Sequence, residues 1–64
     1  MRYTCELCGV KFSTLAELIH HFLREHRGLL PGWALAMYLE GRRLPLWRVY
    51  RELRMAGLAR GVRA

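Results

Sequence analysis

The sequence predicts a small α+β fold: two short strands and a helix, followed by two further helices folded back on them. Three observations lead there. Cys5, Cys8, His21 and His26 stand at the spacing C-x2-C-x12-H-x4-H. Apolar residues recur at helical spacing after Thr14 and again after Pro45. At 64 residues, the chain is too short to rely on an apolar core alone. Two thiolates on a tight turn and two imidazoles about one helical turn apart can close a tetrahedron around one Zn2+. A zinc-stabilised α+β unit is therefore expected, because an unformed site of this kind binds metal only as the peptide folds.

Cys5 and Cys8 should lie on a hairpin knuckle, with Gly9 taking the positive φ that such a turn requires. Ser13 or Thr14 offers an N-cap for a helix running to about His26, and Glu17 is the capping-box partner three residues after Thr14. Leu18 and His21 share its inward face, where Leu18 should pack with Phe12 and Tyr3. His26 follows His21 by five residues, slightly more than one turn, so the last turn should be irregular. His20 also precedes His26 at a spacing that zinc sites allow. Choosing it would displace Leu18 from its position and shorten the Cys-to-His gap by one. A Cys5–Cys8 disulfide would close a very small loop and leave two histidines unexplained.

Written out, the segment reads Y-x-C-x2-C-x3-F-x5-L-x2-H-x4-H, with Tyr3, Phe12 and Leu18 in the apolar positions. It resembles the C2H2 zinc finger family over residues 1–27, which implies a ββα finger with Cys5, Cys8, His21 and His26 on one structural zinc ion. The chain as a whole is similar to short single-finger proteins of thermophilic archaea and their viruses. The absence of Asn, Gln and Asp agrees with a hot habitat, and a GC-rich genome would produce a similar bias. The family contacts DNA bases from the start and first two turns of its helix, which the Phe12–Leu18–His21 register maps onto Thr14, Ala16, Glu17 and His20. Glu17 could accept from a cytosine amino group and His20 could donate to guanine. One finger covers about three base pairs, so specificity would need the rest of the chain, a dimer or a partner.

A zinc ion held by four protein ligands has no open position for substrate, and the sequence beyond residues 1–27 offers no nucleophile with a base beside it. An enzyme is not expected, nor a small-molecule substrate. Arginine supplies ten of the eleven basic residues and the formal net charge is +6. Residues 28–64 carry seven basic and two acidic side chains against four and three in residues 1–27. Such a basic extension beside a finger reads as a nucleic-acid binder, with double-stranded DNA the expected partner and transcription regulation the expected role. Lys11, Arg24, Arg42, Arg43, Arg48, Arg51 and Arg54 are the phosphate-contact candidates. The other readings are a protein-interaction module and RNA binding, with Trp47 and Tyr50 as stacking groups in the latter.

Gly28, Pro31 and Gly32 break the chain after the finger. The linker of tandem fingers is absent and no second finger follows. Trp33 to Glu40 is apolar on every side, which predicts a helix buried on most faces, though far too short to span a bilayer. Gly41 to Arg43 form a turn, Pro45 opens a second helix at its first position, and Gly57 closes it. Leu46, Val49, Tyr50, Leu53 and Ala56 fall on one side of that helix. Arg48, Arg51 and Arg54 fall on the other with Trp47, and Glu52 is placed to pair with Arg48. The tail from Ala59 to Ala64, with Arg60 and Arg63, is expected to be flexible. On the first helix, Leu15, Ile19, Phe22 and Leu23 form an apolar stripe that needs a cover. Fold-back of the two C-terminal helices would supply one, and a homodimer is the alternative. Cys5 and Glu6 interrupt any N-terminal apolar run, so no secretory signal is expected and a reducing, intracellular setting follows.

Overall fold

The computed structural model describes residues 2–62. Strand β1 (Arg2–Cys5) lies at the centre of a three-stranded antiparallel sheet, between β2 (Lys11–Phe12) and β3 (Ala59–Val62). Tyr3 faces Phe12 on one side and Gly61 on the other, and Cys5 faces Ala59. Alternation along β1 turns Tyr3 and Cys5 to the core, while Arg2 stays exposed. Helix α1 (Leu15–Glu25) follows β2. A single 3-10 turn over Arg27–Leu29, helix α2 (Gly32–Leu39) and helix α3 (Leu46–Met55) lead back to β3.

Local chemistry fixes each boundary. Thr14 caps α1: its hydroxyl oxygen accepts from the Glu17 amide at 3.2 Å and donates to the Glu17 carboxylate at 3.1 Å. The capping pair thus closes on the hydroxyl. Gly41 and Gly57, at φ 75° and 77°, end α2 and α3 in the same way. After α3, Gly57 donates to the Arg54 carbonyl and Leu58 to the Leu53 carbonyl. After α2, Gly41 and Arg42 repeat this double bond to Tyr38 and Met37. Pro45 is the N-cap of α3, one position before the first helical residue, and not inside the helix.

The apolar stripe of α1 is covered. Leu18, Ile19, Phe22 and Leu23 share one core with Tyr3 and Cys5 of β1, Ala34 of α2, Val49, Tyr50 and Leu53 of α3, and Ala59 of β3. Tyr3 and Tyr50 meet edge to face, with centroids 5.3 Å apart, which joins the sheet to α3.

Besides the position of Pro45, four expectations need correction. The segment from Ala59 is ordered through Val62 as β3, with Ala59 buried; Arg63 and Ala64 lie outside the described residues. Its pairing comes from the backbone of β1, extended by the Glu6 amide donating to the Leu58 carbonyl at 3.0 Å. Helix α2 is not buried on most faces: Ala34 alone is buried, while Tyr38 and Leu39 are exposed. Glu52 accepts from the Trp33 indole at 2.6 Å instead of pairing with Arg48. The Arg48 guanidinium lies over that same indole, 5.6 Å from its centroid. Finally, Tyr50 is buried and cannot stack on a ligand, whereas Trp47 is exposed.

Candidate metal centre and basic grooves

The hairpin and α1 bring four donor atoms together. The knuckle between β1 and β2 is held by the Cys5 amide on the Val10 carbonyl at 3.0 Å and by the Gly9 amide on the Cys5 carbonyl at 2.7 Å. Gly9 takes φ 75° there, a conformation that costs a side-chain-bearing residue about 1–2 kcal/mol. Cys5 is buried and Cys8 exposed. His21 comes from the second turn of α1. His26 is its C-cap residue, at φ −135°, ψ 42°, so the helix ends where the fourth donor must turn inward.

One donor atom from each of Cys5, Cys8, His21 and His26 lies within 4.8 Å of all the others. Cys8 Sγ and His26 Nε2 are 3.1 Å apart. Zinc–sulfur and zinc–nitrogen bonds of about 2.3 and 2.0 Å imply tetrahedral edges of roughly 3.3 to 3.8 Å, so the Cys8–His26 edge would open slightly and the longest separations would close by about 1 Å. His21 Nε2 is buried with no hydrogen-bond partner among the described residues. An orphaned buried ring nitrogen on a residue of such a cluster is costly unless something takes up its lone pair. Two thiolates and two neutral imidazoles suit Zn2+ among the common divalent ions. These residues fit one metal ion, consistent with zinc.

The electrostatics agree with that fit. Desolvation, then the neighbouring Cys5 thiol and Glu25, hold the Cys8 thiol above its ordinary pKa. Two adjacent thiols resist becoming two thiolates without a cation, and a divalent ion reverses the preference. Burial, reinforced by His26, lowers the His21 imidazole below its ordinary value and keeps it neutral, the state a ligand needs. Phe12 packs on the His21 ring at 5.2 Å and Phe22 on the His26 ring at 5.4 Å.

Thr14, Ala16, Glu17 and His20 are all exposed on the outward side of α1. Lys11, Arg24, Arg42, Arg43, Arg48, Arg51 and Arg54, from several elements, are exposed as well. The fold sorts these cations into two sets. His20 shares a groove with Arg42, Arg43, Tyr38 and Leu44, and a smaller one with Arg24 and Tyr38. Arg48, Arg51 and Arg54 line a different groove with Trp47 and Met55. Sequence periodicity missed Tyr38 as a neighbour of His20, because only the reversal at Gly41 brings the end of α2 to that face. Arg42 is 3.7 Å from Glu40 in an exposed pair, and Arg60 is 3.8 Å from Glu6. Contacts of that kind contribute little and leave the arginines available.

No helix among the described residues is long and apolar enough to cross a membrane. No protein-family model, curated protein or solved structure matches the chain.

Proposed function

We propose that residues 1–27 form a ββα zinc finger of the C2H2 kind and that the protein binds double-stranded DNA as a transcription regulator. One observation carries this reading. The four-donor cluster anchors α1 so that Thr14, Ala16, Glu17 and His20 face outward, with Arg24, Arg42 and Arg43 beside His20. With all four positions filled by protein, the metal shapes the chain and does no chemistry, which favours a binding protein over an enzyme. The start of α1 would enter the major groove, where Glu17 and His20 meet base edges. Lys11, Arg24, Arg42 and Arg43 would hold the phosphates on either side. Thiolates reserved for a metal favour a reducing, intracellular compartment.

A salt titration of binding to arbitrary duplex DNA tests this. Four phosphate contacts give a log–log slope of about −3.6. Selection from a random duplex pool should then enrich a short motif of about three base pairs. A flat salt dependence, or no binding at low salt, would remove the proposal. The second reading is a protein-interaction module, favoured by the exposed Tyr38 and Leu39 on α2.

A further inference from the structure

The groove on the outer side of α3 is separate from the face assigned to duplex DNA. It is lined by Trp47, Arg48, Arg51, Arg54 and Met55, with Tyr50 behind them. On a helix of 3.6 residues per turn the three arginines fall within an arc of about 120°, and Trp47 falls inside that arc. The indole is 63% exposed. Its contact with the buried Tyr50, edge to face at 5.9 Å, steadies it from below.

No internal ion pair neutralises the positive charge here. Among the described residues no carboxylate lies within ion-pair distance of Arg48, Arg51 or Arg54. Glu52, the acidic residue of the same helix, is engaged by the Trp33 indole, and Arg48 rests on that ring. A large aromatic surface and three cations thus stand together on one arc, spread over about 10 Å of helix axis.

We propose that this groove binds an unpaired nucleic-acid strand, with a base stacked on Trp47 and neighbouring phosphates held by Arg48, Arg51 and Arg54. A duplex keeps its base faces buried in its own stack and offers the indole nothing. A single strand presents a free π-face beside each phosphate, which matches cations flanking an indole. This inference stands on residues other than those on α1, so it survives or fails independently of the duplex reading.

The test uses the full-length, zinc-loaded protein and a fluorescently labelled oligo(dT), with a duplex of equal length as comparison. Oligo(dT) binds and quenches tryptophan emission. Trp47→Ala weakens binding about tenfold, the size expected of one base–aromatic stack, and abolishes most of the quenching. Trp47→Phe retains most of the affinity, and the double variant Arg51→Ala/Arg54→Ala flattens the salt dependence. His20→Ala, on the other face, leaves oligo(dT) binding unchanged. Thermal denaturation of each variant establishes that it is folded. Oligo(dT) binding that is indifferent to Trp47→Ala would overturn the proposal. So would tighter binding of an acidic, tyrosine-containing peptide than of oligo(dT), which would assign the groove to a protein partner.

Discussion

His21 is where the candidate metal site, the fold and protonation meet. Burial lowers its pKa, so the folded chain prefers the neutral ring. Below the ordinary value of 6.5 the unfolded chain takes up a proton that the folded chain refuses. The stability contributed by the neutral ring is therefore complete above that pH, and falls as pH drops toward the folded value. Metal release runs in the same direction, because protons compete for the ligands. Unfolding followed by circular dichroism from pH 7.5 to 5 should show falling stability, with a His21→Ala variant losing tight metal binding at every pH. Gly57 offers a test free of the metal. At φ 77° with open space around a would-be Cβ, Gly57→Ala should cost about 1–2 kcal/mol from backbone strain alone. Denaturant titration checks this. Both residues are legible in the sequence, His21 from its spacing and Gly57 as a helix stop, since each role depends on near neighbours. The partner of Glu52 is not: Trp33 lies nineteen residues away, and only tertiary folding brings its indole within reach.

The helices differ in how much they hold the fold. Leu53 of α3 is 1% exposed and belongs to the core that covers α1, whereas Leu39 of α2 is 67% exposed. Leu53→Ala should cost about 2–5 kcal/mol, and Leu39→Ala no more than about 0.5 kcal/mol. Chemical denaturation of the two variants makes the comparison, and equal effects would contradict the packing described. The period of α1 and α3 is readable in sequence because each has one apolar and one polar face. Helix α2 misleads for the opposite reason: uniform apolarity suggests burial without saying what would cover it. Strand β3 is invisible in the residues Ala59, Arg60 and Gly61, which carry little strand preference. Its order comes from the turn at Gly57 and from pairing with the backbone of β1 on the side away from β2.

Across the molecule the four donors and the apolar core are one structure. Cys5 is at once a ligand candidate, a core residue and the partner of Ala59 in the sheet. Loss of the metal should therefore loosen β1, β3 and α1 together. Structural zinc in finger peptides contributes about 10–16 kcal/mol, as much as or more than the 5–15 kcal/mol of a typical domain. Metal removal should accordingly unfold the chain as a whole. The decisive measurement is metal content and helical circular dichroism on the same purified sample, before and after chelation under reducing conditions. One zinc per chain, collapse of the helical signal on chelation and its return on adding Zn2+ are predicted. A full helical signal in metal-free protein with both thiols reduced would contradict the role given to the four donors.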